Sequence, residues 1–156
     1  MKFQDVIVVV ASLTVAFILF DCVFNLALVP ATGSNLGAMA AVIVSILVSG
    51  LVVGYAFAGK IQEESKMASI GKIVVLFTAV FGLLTTIVYG AIYHYGAYTD
   101  ETLSSMYNTG SWTNTNWFAY EIMMLVIAVA LFVVFALVFG FIGLYAGSML
   151  KKPKKT

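Results

Sequence analysis

The stretch IMMLVIAVALFVVFALVF, residues 122–139, runs for eighteen residues without one polar side chain. It lies inside a longer apolar run from Phe118 to Leu150. A helix crosses the hydrocarbon core of a bilayer with about 20 mostly apolar residues, so this run is long enough to span a membrane. At about 1.5 Å per residue it exceeds a core of about 30 Å, which predicts that the helix tilts or extends into water.

Three further runs have the same character: Val6–Leu28, Gly37–Ala58 and Ile73–Tyr93. Pro30 and Gly33 follow the first run and predict that its helix ends there. Hydrophobic residues make up 62% of the chain and charged residues 10%, with a mean hydropathy of +1.06, whereas a soluble domain carries about 25% charged residues. We therefore predict an all-α integral protein of the cell membrane, with residues 1–156 forming one four-helix transmembrane bundle.

The lysines predict the orientation of this bundle. They fall before the first run, between the second and third, and after the fourth: Lys2; Lys60, Lys66 and Lys72; Lys151, Lys152, Lys154 and Lys155. The other two connections, including the outer loop at about 94–117, contain none. Because positive charge concentrates on the cytoplasmic side, both termini are predicted to be cytoplasmic.

One alternative concerns the first run. Lys2, the apolar run and Val29-Pro30-Ala31 also fit a secretory signal cleaved after Ala31. Asp21 and Asn25 interrupt the run, and it is longer than a signal core of roughly 7–15 residues, which favours a retained span. Cleavage would leave three spans in the same orientation.

Small residues at four-residue spacing predict the faces on which the helices pack. Gly37, Ala41, Ser45 and Ser49 form one such stripe on the second span, and Thr78, Gly82, Thr86 and Gly90 form one on the third. The glycines expected at helix contacts are Gly50, Gly54, Gly82, Gly90, Gly143 and Gly147. The spacing leaves open whether they close one bundle, join two copies of the chain or bind a larger membrane complex.

Asp21 is the candidate functional residue, because a carboxyl inside a span costs several kcal/mol unless it is paired, hydrated or protonated. Thr14 and Asn25 share its helical face. The predicted topology places His94, at the end of the third span, and Glu121, at the start of the fourth, toward the same outer half. The candidate polar or proton/cation site is therefore Asp21, Asn25, His94 and Glu121.

Three interpretations of that cluster compete. It forms a hydrogen-bond network between helices, a proton or cation relay, or a metal site with two carboxylates and one histidine. The metal ligands lack any spacing signature, so we predict neither a metal nor another cofactor.

Catalytic motifs are missing from the sequence. It contains no His-Glu-x-x-His, no phosphate-binding Gly-x-x-x-x-Gly-Lys and no Gly-x-Ser-x-Gly, and it has one histidine, one cysteine and no arginine. We predict that the protein is not an enzyme. The net charge of +1 gives no field for nucleic acid, and Cys22 is expected to be a small buried apolar residue.

The C-terminal lysines predict a contact with lipid. Lys151, Lys152, Lys154 and Lys155 follow the fourth span directly, where each is worth about 1 kcal/mol beside an anionic leaflet. The predicted partners are thus the bilayer and its anionic headgroups.

Two segments resemble uncharacterised four-span proteins of archaea: Val53-Gly54-Tyr55-Ala56-Phe57-Ala58 with the following Lys60–Ser65, and Gly143-Leu144-Tyr145-Ala146-Gly147-Ser148 before the lysines. That resemblance implies no known function. Four spans with a carboxylate, Asp21, in the first resemble the small multidrug-resistance exporters, which implies exchange of protons for cationic drugs. Asn25 and Glu121 with a short and a long outer loop resemble a tetraspanin, although the long loop lacks that family's cysteines.

Two functions follow as expectations. The first is a structural or accessory interaction subunit without catalysis, which fits the packing faces and the missing motifs. The alternative is a proton-coupled transporter of small molecules or ions that uses Asp21.

Overall fold

The computed structural model describes the backbone of residues 1–32, 34–62, 65–99 and 114–151, and side chains within 1–28, 30, 37–61, 65–87, 122–123 and 125–151. The elements of this described part are all helices: α1 (Phe3–Thr32), α2 (Ser34–Ala56), α3 (Ala58–Gln62), α4 (Lys66–Thr99) and α5 (Asn114–Leu150).

Four of these helices are long and apolar enough to cross a membrane. Among the described residues the qualifying segments are Phe3–Leu28, Gly37–Ala56, Lys66–Ile87 and Leu125–Leu150. The predicted all-α class and the four apolar helices are thereby confirmed.

The end of α1 differs from the prediction. Pro30 was expected to end the first helix, but α1 continues through it to Thr32, so that prediction was wrong. Proline fixes φ near −65°, which a helix accepts, and the cost is that the carbonyl of Leu26, four residues earlier, loses its N–H donor.

The two longest helices extend past their predicted spans. α4 continues through His94 to Thr99, and α5 begins at Asn114, so both ends of the predicted outer loop are helical. Residues 100–113 lie outside the described chain. With 37 residues, α5 is roughly 55 Å long, well beyond a hydrocarbon core of about 30 Å.

The chain forms two compact units. The first comprises Met1–Ala79 and Val134–Thr156, and the second comprises Val80–Val133. α4 and α5 each contribute residues to both units.

In the first unit, α1 packs through one face. Val9, Leu13 and Phe17, four residues apart, are buried, and the Phe17 ring meets Phe77 of α4 edge to face at a centroid distance of 6.5 Å. The face opposite this core stays open, including the side chain of Cys22. Cys22 was expected to be buried, and that prediction was wrong because its place on the helix lies outside the Val9–Phe17 face.

The closest approach in the first unit is between α2 and α5. A Cβ atom added to Gly50 would lie 3.0 Å from the Gly143 Cα atom, and one added to Gly54 would lie 2.5 Å from the Leu144 carbonyl oxygen. From the other helix, a Cβ on Gly143 would lie 2.6 Å from the Leu47 oxygen, and one on Gly147 would collide with the Leu51 oxygen. The two backbones therefore touch with no side chain between them, as in membrane helix pairs with glycines four residues apart.

The second unit is packed by larger side chains. Phe81 of α4 meets Phe132 of α5 edge to face at 6.2 Å, and a Cβ on Gly82 would make an ordinary 3.4 Å contact with the Val133 side chain. Thr86, one turn after Gly82, is exposed and donates its hydroxyl hydrogen to the Gly82 carbonyl at 2.8 Å. The surroundings of Gly90 lie outside the described residues, so its predicted contact stays a prediction.

We expect Gly54→Ala and Gly147→Ala to destabilise the protein, because a methyl group at either position must push the α2 and α5 backbones apart. Overpacking of this kind costs about 1–3 kcal/mol. Gly71→Ala is the matched control, since a Cβ there meets nothing within 4 Å, and it gains up to about 1 kcal/mol of helix propensity. Thermal unfolding in one detergent compares the three variants. Equal midpoints for all three would contradict the contact.

Candidate functional site

The polar face of α1 is half-buried, and part of it is bonded to its own helix. Thr14 Oγ1 donates to the Val10 carbonyl oxygen at 2.9 Å, and Asn25 Nδ2 donates to the Asp21 carbonyl oxygen at 2.9 Å. Such bonds to the preceding turn satisfy polar side chains that water does not reach. Thr14 therefore needs no partner on another helix. Asp21 is the remaining group on this face, and its carboxyl points away from α1.

The Asp21 carboxyl faces α2. The side chains of Ser45, on α2, and Asn25, one turn along α1, lie beside it. Its Oδ1 atom is shielded from solvent and accepts no hydrogen bond. An unsatisfied buried acceptor costs about 1–3 kcal/mol, and more when it is charged, so the protonation state of this group matters to the fold.

Ser45 is fully buried, at 0% exposure, and its hydroxyl already has an acceptor. Ser45 Oγ donates to the Ala41 carbonyl oxygen at 2.6 Å. One turn further, the buried Ser49 donates to the Ile46 carbonyl oxygen at 3.0 Å. A hydroxyl has one hydrogen, and in this arrangement that of Ser45 bonds its own helix.

Ser45 is the functional candidate that sequence reasoning missed. Its position in the stripe of Gly37, Ala41, Ser45 and Ser49 marked it as a small packing residue. All four of those residues are buried. The available signal was a hydroxyl at a depth similar to that of Asp21, but the sequence does not give the rotation of α2 that turns this hydroxyl toward α1.

No described contact places His94 or Glu121, the other two members of the predicted cluster, beside Asp21. The backbones of His94 and Glu121 belong to α4 and α5, in the second unit, and their side chains lie outside the described residues. Their meeting with Asp21 stays a prediction. Among the residues that the structure describes, no three His, Cys, Asp or Glu side chains are grouped so as to hold a metal ion.

A second feature of the first unit is the end that carries its lysines, here called the lysine end. Lys60 of α3 forms an ion pair with Asp5 of α1, with 2.5 Å between Nζ and Oδ1. Two further lysines lie over tyrosine rings: Lys66 is 4.8 Å from the Tyr145 ring centroid, and Lys151 is 5.8 Å from that of Tyr55. These contacts involve the first turn of α1, the end of α2, α3, the start of α4 and the end of α5, at one end of the unit.

The lysine end has the composition of a membrane–water boundary. Tyrosine combines an apolar ring with a polar tip, and a lysine over its ring gains a cation–π contact while its ammonium stays in water. The predicted lipid-binding lysine Lys151 takes part in this arrangement, and Lys152, Lys154 and Lys155 lie outside the described residues.

Chemically, the described site offers one carboxyl, one amide and two hydroxyls inside a set of apolar helices. Such a set can hold a proton or share hydrogen bonds between helices. Comparison of the chain with protein-family models, with curated proteins and with solved structures gives no match.

Proposed function

We propose that the chain is an integral membrane protein whose lysine end faces the cytoplasm. The support is the coincidence of two independent features. The four apolar helices have spanning length, and contacts of Lys60, Lys66 and Lys151 gather at one end of the first unit. Positive charge held at one end of a membrane bundle favours the cytoplasmic side for that end.

Within that membrane, the protein acts as a structural or accessory interaction subunit without catalysis. The observation that carries this proposal is the uneven covering of its helices. About half of the most apolar window of α2 is buried within the chain, at 50%, whereas only 22% is buried for α1 and 11% for α5. The glycine contact fixes α2 and α5 together, and most of the α1 and α5 windows remains open to another occupant.

The open face of α1 has the shape that a partner helix fits. Its exposed residues follow one another at spacings of three and four: Val8, Ala11, Val15, Ile18 and Cys22. This alternation is that of a helix–helix seam, and the small side chains of Ala11 and Cys22 allow a close approach. The occupant is a transmembrane helix of a larger membrane complex.

We expect Ala11→Phe to release the partner, because its ring fills the seam that the partner helix occupies. Ala79→Phe is the matched control, since Ala79 is also exposed but lies on α4, outside the α1 seam. Affinity purification in mild detergent and in native lipid discs, followed by identification of the retained proteins, compares both variants with the unchanged chain. A clean monomer in both media contradicts the proposal, as does a partner retained by Ala11→Phe. A second copy of the chain as the released species would make the protein a homo-oligomer instead.

A second candidate function is favoured by one observation of its own. The Asp21 Oδ1 atom is shielded and without a donor inside a spanning helix, and intramembrane carboxyls of this kind often mark proton or ion paths. A proton-coupled transporter of small molecules or ions would use Asp21 as its exchanging group.

For that candidate we expect Asp21→Asn to abolish proton-coupled flux in reconstituted vesicles, because an amide cannot exchange a proton at neutral pH. Asp5→Asn, at the lysine end, is the control and keeps the flux. Transport is followed with a pH-sensitive dye inside the vesicles and a panel of monovalent cations and cationic drugs outside. No flux of any of them, or flux untouched by Asp21→Asn, removes this candidate.

The orientation is tested with single cysteines in a Cys22→Ser background. Ser65→Cys and Thr156→Cys are expected to react with a membrane-impermeant maleimide from the cytoplasmic side alone. Replacing the four tail lysines by glutamine is expected to let a fraction of Thr156→Cys label from outside, while Lys60, Lys66 and Lys72 hold Ser65→Cys inside. Labelling of the C-terminus from outside in the chain with its lysines intact would overturn the four-span topology.

A further inference from the structure

The positive charges of the lysine end differ in what they contact. Asp5 neutralises Lys60. Lys66 and Lys151 lie instead over tyrosine rings, and among the residues that the structure describes neither has a carboxylate partner. A ring face attracts a cation through its quadrupole but carries no net charge. Two uncompensated positive charges therefore remain, one at the start of α4 and one at the end of α5.

The glycine contact sets the two tyrosine rings at nearly the same height. A Cβ atom on Gly54 would lie 2.5 Å from the Leu144 carbonyl oxygen, and the next residue on each helix is a tyrosine, Tyr55 and Tyr145. The two lysine ammonium groups lie 5.8 and 4.8 Å from the centroids of these rings. Both ammonium groups are thus held at one level of the first unit.

Exposed apolar side chains lie next to both lysines in the chain. Met67 follows Lys66, and Met149 and Leu150 precede Lys151; all three apolar side chains are exposed. A ligand at either position therefore meets a cation together with an apolar surface. A phospholipid offers a phosphate to the first and acyl chains to the second, whereas a soluble anion offers the phosphate alone.

We propose that Lys66 and Lys151, each with its tyrosine, form two binding positions for the headgroup phosphate of anionic phospholipids in the leaflet at the lysine end. A lysine ammonium has three N–H donors, so one that lies over a ring still donates to phosphate oxygens. The ring also holds the side chain before the lipid arrives, which reduces the rotamer entropy lost on binding.

The proposal rests on the proposed function in one respect, because the lysine end must face a leaflet. It differs from the predicted contact of the lysine tail in its physical cause. The tail attracts anionic lipid through its charge, whereas the two positions proposed here depend on the rings that hold the lysines.

The lysines are tested by native mass spectrometry of the full chain, released from micelles that contain phosphatidylglycerol and phosphatidylcholine with identical acyl chains. We expect preferential retention of phosphatidylglycerol. Lys66→Gln is expected to weaken its binding about fivefold, the effect of one lysine at an anionic leaflet. Lys72→Gln is the matched control, since it removes an equal charge from an exposed position on α4 and leaves the binding unchanged. Equal losses in both variants would overturn the proposal, because net charge alone would then explain the binding.

The rings are tested without a change of charge. Tyr145→Leu is expected to weaken phosphatidylglycerol binding about two- to fivefold, and Tyr145→Phe, which keeps a ring under Lys66, retains it. If Tyr145→Leu fails to fold, Tyr55→Leu and Tyr55→Phe give the same comparison at an exposed position. Unchanged binding in the leucine variant, or equal losses in the leucine and phenylalanine variants, would overturn the role of the rings.

Two further outcomes separate the lipid from other ligands and this proposal from the proposed function. Displacement of phosphatidylglycerol by excess inorganic phosphate would assign the positions to a soluble anion and overturn the lipid. Equal retention of both lipids by the unchanged chain would overturn the proposal and leave the membrane protein standing. A chain that stays dissolved without detergent and retains neither lipid would overturn the proposed function itself.

Discussion

The contact on which the first unit depends is the one between the backbones of α2 and α5. In the membrane proposed for this chain, lipid tails are as apolar as leucine, so burying apolar side chains does not draw helices together as it does in water. Dispersion contacts and hydrogen bonds remain, and both weaken steeply with distance. Gly50 and Gly143 allow the two helices to approach until backbone meets backbone. Side chains at these positions would separate the helices and lose many weak contacts at once.

α2 serves two neighbours because its small residues form two adjoining stripes. Gly50 and Gly54 lie against α5, whereas Ser45 lies beside Asp21 of α1. A single stripe of small residues would give α2 one close neighbour. The second stripe brings α1 near enough for a carboxyl and a hydroxyl to meet across the gap. The glycine contact and the polar contact thus use different faces of one helix.

The sequence was sufficient for the helices and for the residues at their closest contact. Runs without charge such as residues 122–139 have few alternatives to a long apolar helix, and glycines four residues apart leave a groove on any regular helix. The sequence did not predict the features that depend on the rotation of a helix or on where a helix ends. Pro30 does not end α1, Cys22 faces outward, and Ser45 faces Asp21, and each of these follows from how a helix is turned or continued in three dimensions.

The contact of Asp21 with Ser45 matters more to the position of α1 than a single polar contact usually matters to the position of a helix. Little of α1 is covered by the rest of the chain, so its position rests on one buried face, the Phe17–Phe77 contact and the polar residues near Asp21. When a helix is held by few contacts, each accounts for a large share of what fixes its rotation and depth. At the opposite end, Asp5 and Lys60 tie the first turn of α1 to α3. A change at Asp21 would therefore act on a helix anchored at its first turn and comparatively free along its open face.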